Sequence, residues 1–494
     1  MSDLPPRLLS ALGLNASRGG NVRITGLAID SRAVRDGALF AALPGSRVHG
    51  AEFIRYALRM GAAAILTDRA GAEIAADVLE GADVAIVLAE DPRGALAGAA
   101  ALWFGVQPET MVAVTGTNGK TSVASFTRQI WTALGHVAAN IGTTGIEGAF
   151  SSASSHTTPD PIQLHRLLSE MARAGVTHAA MEASSHGLEQ RRLDGVRLRA
   201  AAFTNLTQDH LDYHLTMENY LAAKAQLFDR VLPADGVAGI NTDDPSGAQI
   251  LAIAEAHGQG CLTIGANEDA DLRILNQRFE SAGQILRFSY AGQIYQERLP
   301  LIGGFQAENV LAAIGLILAC GAEMAEIARH LAQIEGVRGR MQLAGTRANG
   351  APVFVDYAHT PAALDVALKA LRPHVMGRLV VVFGAGGDRD RTKRPLMGKA
   401  AAENADIVYV TDDNPRSEDP ADIRAAILQN CPEATEVGDR AEAILRGVDA
   451  LGPGDALLIA GKGHETGQIV GETVYPFDDV EQASVAIAAL EARA

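Results

Sequence analysis

Short unbroken apolar runs alternate along this chain with stretches whose apolar residues recur at helical spacing, and turn residues punctuate both. Between Asn21 and Glu90 the runs "ALFAAL", "AAAILTD" and "VAIVLAE" predict strands, with one helical stretch near Ala51–Met60. "FGVQPET" then predicts a linker, with Pro108 breaking the helix before it. A second set opens with a strand over Met111–Val114 and a helix over Ser122–Leu134. "HAAME", "AAFTNL" and "VAGIN" predict further strands, and "QAENVLAAIGLILACG" predicts a helix stopped by Gly321. From about Arg338 a third set brings "PVFVDY", "RLVVVFGA", "DIVYVTDD" and "DALLIAGKG", each a continuous apolar run of the kind found in strands buried on both faces. Strands alternating with helices imply parallel sheets. The expected fold is α/β with three domains: a small α/β domain over 1–105, a central parallel-sheet domain over 106–337 and a Rossmann-like domain over 338–494. In the third set most strands run into a Gly- or Asp-rich loop, which is where open parallel sheets bind ligands.

Composition narrows the classes. A chain of 494 residues is too long for a single core, and 48% hydrophobic residues with modest charge fit a globular protein. The formal charge of −16 argues against nucleic-acid binding, which needs a basic face. An anionic ligand must therefore be held by local groups acting against the overall field. Cys261, Cys320 and Cys431 are few, odd in number and far apart, so reduced thiols of a cytoplasmic protein are expected, without metal-ligand spacing. The opening "MSDLPPRLLSALGL" has neither the profile of a signal peptide nor that of a membrane span.

The clearest chemistry lies in "TGTNGKTS", between a predicted strand and a predicted helix. Gly116 and Gly119 let the backbone turn its N–H groups onto a phosphate, and the helix N-terminus adds the positive end of its dipole. Lys120 would reach the β- and γ-phosphates, and the Thr121 hydroxyl would ligate Mg²⁺. Val114 stands where the longer form of this loop has a first Gly, so the match is to a shortened G-x-x-G-K-T. Three further side chains are candidates. Glu182, at a strand end in "MEASSHGLEQ", is costly to bury unless paired or metal-bound. His210, in "TNLTQDHLDYH", is a metal ligand or merely a hydrogen-bonded neighbour of a helix cap. Lys224 lies on the amphipathic stretch "MENYLAAKAQLFDRV" among Tyr220, Leu221, Ala225, Leu227 and Phe228. The pattern alone favours a lysine that buries its stem and extends its amine to solvent, although a desolvated lysine would become nucleophilic. Finally, "TDDNPRSEDP" sets Arg416 in an acid-rich turn directly after a strand. By itself it reads as a surface turn with an Arg–acid pair.

Taken together, "TGTNGKTS", "MEASSHGL", "TNLTQDHLDYH", "NYLAAKAQLF", "FQAENVLAAI", "GVRGRMQ", "VDYAHTP" and "FGAGGDRDRTKRP" resemble the Mur ligase family, the ATP-dependent amide-forming enzymes of peptidoglycan synthesis. "LAIDSRAVRDGALFAALPG" extends the likeness to the N-terminal set, so it covers nearly the whole chain. "DNPR" with "AGKGHE" is similar to members that add meso-diaminopimelate to UDP-N-acetylmuramoyl-L-alanyl-D-glutamate; lysine-adding members and folylpolyglutamate-synthetase-like ligases are the nearest alternatives, and a nucleotide-binding regulator without turnover is the alternative outside the enzymes. The resemblance implies that the three domains bind the UDP-substrate, ATP and the amino acid in turn, and that the protein acts as a monomer with Mg²⁺. It implies an ATP site at Gly116, Thr117, Asn118, Gly119, Lys120, Thr121, Ser122, Asn309, Arg340 and Asp356, with His359 a weaker member. It implies that Lys224 is carbamylated and, with Glu182, His210 and Thr121, lies near metal. Ser31, Thr157, Thr158, Ser184, Gln190 and Arg192 would hold the UDP-MurNAc-dipeptide. Arg389, Asp413, Asn414, Pro415, Arg416, Gly461 and Glu465 would hold diaminopimelate, Arg416 gripping the second carboxylate that lysine lacks. His156 stands where the family commonly has Asn, and Gly467 where it often has an aromatic residue.

Overall fold

The structure, a computed structural model, describes residues 4–45, 48–152 and 157–492. His156 lies outside them. The chain divides into two compact units, Met1–Ile264 with Ala312–Glu323, and Gly265–Leu311 with Met324–Ala494.

In the first unit, strands Gly26–Ala28, Ala38–Ala41, Ala64–Thr67 and Ala85–Leu88 pair in that order, all parallel. Helix Pro92–Phe104 follows; Pro92 occupies its first turn and Asp91 caps it by accepting from the Gly94 N–H. The larger sheet of this unit runs Gly260–Gly265, Val237–Asn241, Leu198–Phe203, Thr110–Thr115, His178–Glu182, Ala138–Gly142 and Gly145–Gly148. Its core joins Met111, Ala113, Met181, Ala201 and Phe203 from the strands to Leu164, Leu168, Leu227 and Phe228 from helices. Thr110–Thr115 is central, with Met111–Val114 apolar and buried, so the loop that follows is anchored by a buried strand on one side and by helix Lys120–Ala133 on the other.

The second unit contains a six-stranded sheet in the order Gln342–Thr346, Pro352–Asp356, Ala456–Ala460, Leu379–Phe383, Ile407–Val410, Thr435–Glu436. Only its first pair is antiparallel. Strand Leu379–Phe383 shows why its sequence is a continuous apolar run. Leu379, Val381 and Phe383 pack on one face with Leu364, Leu368, Met397 and Ile427. Val380 and Val382 pack on the other with Ile444, Val448 and Ile487. Helices cover both faces, and the loops after Asp356, Phe383, Val410 and Ala460 open at the same edge because the four strands are parallel.

Besides the antiparallel edge strand Gln342–Thr346, the all-parallel expectation needs further correction. Gly145–Gly148 runs antiparallel to Ala138–Gly142, and Leu272–Glu280, Gly283–Tyr290 and Gln293–Leu299 form an antiparallel meander. The two-residue connections at 281–282 and 291–292 are too short for the crossover that parallel strands require. The alternation was present in the sequence: Leu286 and Phe288 are buried while Arg287 between them is exposed. All three cysteines are free, and among the described residues no helix is long and apolar enough to cross a membrane.

Helix Pro361–Leu371 offers a direct check of the second unit's packing. Leu368 is fully buried, whereas Val366 is 56% exposed on the same helix. Leu368→Ala is expected to destabilise this unit by about 2–5 kcal/mol and Val366→Ala by less than about 0.5 kcal/mol. Denaturant titration followed by fluorescence distinguishes them; equal midpoints would contradict the assigned face.

Candidate active site

The phosphate-type loop in the first unit is braced from the side by the segment that follows strand Leu198–Phe203. Thr117 N donates to Asn205 O at 2.8 Å, Asn118 N to Asn205 Oδ1 at 2.9 Å, and Thr204 Oγ1 to Asn118 O at 2.6 Å. Thr117 Oγ1 donates to Thr207 O and receives the Thr207 N–H. Gly116 has φ 148°, and a Cβ there would collide with Thr204 Oγ1, so the close approach of the two loops requires glycine. Gly119 is the N-cap of helix Lys120–Ala133, whose first turn buries the side chains of Thr121 and Ser122.

Two lysines meet at one carbonyl of this loop. Lys120 Nζ donates to Gly116 O at 2.8 Å and to Thr117 O at 2.9 Å. Lys224 Nζ donates to the same Gly116 O at 2.6 Å. Lys224 is 1% exposed, with its ammonium 4.3 Å from the Tyr220 ring centroid. The solvent-reaching lysine expected from the helical pattern is therefore not what forms: the face carrying Lys224 turns toward the phosphate loop. Burial, and next the Lys120 charge, push the Lys224 amine well below the ordinary lysine value, while Asp209 pulls weakly the other way.

Glu182 is buried at the end of its strand. Its Oε1 accepts the Thr143 N–H at 2.7 Å and its Oε2 the Thr143 hydroxyl at 3.2 Å. Those donors offset part of the cost of burying the charge and leave acceptor positions on both oxygens. His210 is half exposed, at φ 54°, with Nε2 3.5 Å from Asp209 Oδ2 and its ring edge-on to His186. Among the described residues no three His, Cys, Asp or Glu side chains converge as a metal-binding group.

Beside Glu182 the structure gathers most of the residues assigned to the UDP-substrate. Thr158 Oγ1 donates to Glu182 O at 3.0 Å and accepts the Ser184 N–H at 3.1 Å. Thr157 Oγ1 lies 3.1 Å from Thr143 Oγ1. Arg192 Nη1 donates to Thr158 O at 2.6 Å and its Nη2 to Gln190 Oε1 at 2.8 Å, while Gln190 Nε2 donates to the Tyr213 hydroxyl at 3.1 Å. Ser31 is elsewhere in this unit, in the 3₁₀ turn Ser31–Ala33 capped by Asp30.

In the second unit Asp356 ends its strand, with Oδ2 accepting Met341 N and Oδ1 accepting Ala358 N, both at 2.8 Å. Burial raises its pKa, and Arg340 and the two N–H groups oppose this. Arg340 lies over the Tyr357 ring at 5.2 Å, and His359 Nδ1 is 2.9 Å from Tyr357 O. Asn309, on helix Phe305–Ala319, donates to Gln306 Oε1 at 2.9 Å. The loops after Phe383, Val410 and Ala460 bring together the predicted amino-acid residues. Arg416 Nη1 donates to the carbonyls of Gly387 at 2.8 Å and Asn414 at 3.4 Å. The Arg–acid pair of an ordinary surface turn is thus replaced by carbonyl partners. Arg389 Nη1 donates to Asp388 O at 3.1 Å. Asn414 Nδ2 donates to Glu465 Oε2 at 2.8 Å. Pro415 O packs against Gly387, and Gly461 against Asp413.

Sequence reasoning did not single out Thr143, Asn205, Tyr213 or Lys462, all of which contact the assigned residues. For Asn205 a signal existed: the polar run "TNLT" begins where the buried run Ala200–Phe203 ends.

Comparison with known proteins gives the following. The family descriptions "Mur ligase family, catalytic domain", "Mur ligase middle domain" and "Mur ligase, glutamate ligase domain" match residues 23–103, 114–317 and 339–463. The chain is 52% identical over 471 residues to the UDP-N-acetylmuramoyl-L-alanyl-D-glutamate–2,6-diaminopimelate ligase of Bradyrhizobium diazoefficiens, covering 94% of this chain and 95% of that one. It is 50% identical to the Caulobacter vibrioides protein of the same name, covering 95% and 96%. A solved structure of a ligase of that name superposes with TM-score 0.73 at 35% identity over 95% of this chain and 96% of that one. At 19% identity, the ADP complex of Mycobacterium tuberculosis folylpolyglutamate synthase shares the fold, with TM-score 0.59 over 81% and 92% of the two chains.

Thr204 tests the bracing of the phosphate loop. Thr204→Val removes the shorter of two donors to Asn118 O and leaves that carbonyl only Asn205 Nδ2 at 3.4 Å. ATP affinity measured by calorimetry is expected to fall about tenfold, with the melting temperature of the first unit little changed. Unaltered affinity would show that this contact does not shape the loop.

Proposed function

The chain belongs to the Mur ligase family, and we propose that it is the ATP-dependent ligase that joins meso-2,6-diaminopimelate to UDP-N-acetylmuramoyl-L-alanyl-D-glutamate. What supports this reading, beyond the names of its full-length relatives, is Arg416. Its guanidinium is held in place by carbonyls and keeps its charge available for a ligand carboxylate. Diaminopimelate carries such a carboxylate at its far end, and lysine does not. An unmatched guanidinium would make lysine a poor substrate.

The chemistry follows from the leaving group. A carboxylate does not condense with an amine at neutral pH because oxide is a poor leaving group. Attack of the D-glutamyl side-chain carboxylate on the γ-phosphorus of ATP expels ADP and leaves an acyl phosphate. An amine of diaminopimelate then adds to the acyl carbon, inorganic phosphate departs, and the amine's proton is lost to solvent. The protein contributes position and charge. The N–H groups at the start of helix Lys120–Ala133 and the Lys120 ammonium cradle the phosphates. The Thr158–Ser184–Gln190–Arg192 network orients the muramoyl-dipeptide, with Ser31 toward the uridine diphosphate. Asp356 and Arg340 serve the nucleotide, with Asn309.

The donor chemistry fits Mg²⁺. The Thr121 hydroxyl and the free acceptor positions of Glu182 are oxygen ligands, and Mg²⁺ usually combines one or two carboxylates with substrate phosphates. Lys224 fits only as its carbamate. As an ammonium it would repel a metal and adds charge beside Lys120. The ammonium first loses one proton to give the neutral amine, whose attack on CO₂ forms the N–C bond and releases a second proton, so that an anion replaces the cation. The bound ion would supply charge neutralisation at the phosphates, with His210 as a neighbour of its site.

The reading is tested by coupled ADP release with purified UDP-MurNAc-dipeptide and either diaminopimelate or lysine. Turnover with diaminopimelate and little with lysine is expected; equal rates, or none with either, would end it. Lys224→Ala is expected to lose at least about a thousandfold in kcat, with circular dichroism unchanged and partial recovery on adding a short carboxylate. Full turnover by this variant without any addition would exclude the carbamate. Arg416→Lys is expected to lower kcat/KM for diaminopimelate about 10- to 100-fold with KM for ATP unchanged, and equal losses for both substrates would remove Arg416 from the pocket.

A further inference from the structure

Lys462 is fully buried in the second unit, yet it is surrounded by residues of the proposed amino-acid pocket and reaches no solvent. Its Nζ donates to Asn414 Oδ1 at 2.9 Å and to Gly467 O at 2.8 Å, and lies 3.6 Å from Asp413 Oδ1. Two hydrogen bonds and one ion pair of the ammonium thus reach two chain segments, 413–414 and 467, that leave different strands of the sheet. These strands, Ile407–Val410 and Ala456–Ala460, are not neighbours; Leu379–Phe383 lies between them. The segments nevertheless approach closely, since a Cβ on Gly461, at φ 117°, would lie 2.7 Å from Asp413 Oδ2.

Asn414 passes the constraint on. The oxygen that accepts from Lys462 also accepts the Ile469 N–H at 2.9 Å, and the amide nitrogen donates to Glu465. Ile469 O in turn accepts the Arg416 N–H at 3.1 Å, and Arg416 O accepts from Gly471 at 2.7 Å. These bonds hold Arg416 at φ 52°, a conformation that costs a non-glycine residue free energy unless its surroundings impose it. Burial depresses the Lys462 pKa and Asp413 opposes this, as for an ammonium kept charged by its anionic neighbour.

We propose that Lys462 is a positioning residue for amino-acid selection: by tying Asn414 and Asp413 to the 461–471 segment it fixes the separation of Arg416 from Glu465, and so sets the distance over which the two charged ends of a diamino dicarboxylic acid are recognised. This rests on the diaminopimelate reading above. A ligand of fixed length is selected only if the groups at its two ends are held at a matching distance. The buried cation supplies that rigidity without touching the ligand.

The experiment uses the full-length enzyme, saturating ATP and UDP-MurNAc-dipeptide, and varied diaminopimelate or lysine. Lys462→Met keeps the stem and deletes the charge; Lys462→Gln retains a donor and serves if the first variant does not fold. Either is expected to raise KM for diaminopimelate at least about tenfold and to reduce its preference over lysine by a similar factor. KM for ATP should stay within about twofold and kcat at saturating diaminopimelate should change little. In the double variant with Arg416→Lys, the further loss of preference should be small, because both changes act through one guanidinium. An unchanged preference in the Lys462 variants, a rise in all three KM values together, a fully additive double variant, or failure of both variants to fold would each overturn the positioning role. Wild-type enzyme that does not favour diaminopimelate would instead overturn the underlying reading.

Discussion

The carbonyl oxygen of Gly116 accepts from two lysine ammonium groups, and much of the first unit is arranged around that contact. Two cations at one oxygen repel each other, and burial of Lys224 adds desolvation to the repulsion. The arrangement holds because each lysine is fixed by a separate element: Lys120 by the helix that starts at the loop, Lys224 by helix Met217–Gln226. The loop is fixed in turn by Thr204, Asn205 and Thr207. Two lysine side chains brought to one glycine-rich loop suit a polyphosphate, and an amine forced toward neutrality is one that can react with CO₂.

The second unit handles charge differently. Arg440 and Asp479 form a fully buried pair, and the Arg440 guanidinium also donates to Ala460 O and Asp412 O, the carbonyls next to the 461–465 and 413–416 segments. Arg394 is buried against Glu418, whose carboxyl is held at about 2 first by the Arg394 hydrogen bonds. Buried ion pairs are weak evidence for stability, since their desolvation offsets much of the attraction. Their effect here is geometric. They fix three loops at one edge of a parallel sheet, where the backbone alone would leave them free to vary.

Both units place their polar residues at the C-terminal ends of parallel strands. The first gathers Glu182, Ser184 and the Thr204–Thr207 segment beyond two neighbours of the central strand. The second gathers Asp356, Asp413 and Gly461. The apolar strands supply rigidity, and side chains at their ends carry the chemistry.

Local order was what the sequence by itself determined. Strand, glycine turn, Lys-Thr and helix at 110–133 are contiguous, so their chemistry could be read without knowing the fold, and the continuous apolar runs of 352–460 declared a doubly covered sheet. The antiparallel meander at 272–299 was also written there, as period-two alternation with short turns, and was missed because neighbouring parallel strands set the expectation. Tertiary structure alone decided that Lys224 is buried, that Arg416 is held by carbonyls and not by an acid, and that Lys462 joins two loops. Helical periodicity fixes which residues share a face; it does not say what lies opposite that face. The environment of a charged side chain depends on segments far away in sequence: Gly116 for Lys224, 108 residues earlier, and Asn414 for Lys462, 48 residues earlier. Such pairings arise only when the sheets have formed, because the strands bring those loops to the same edge.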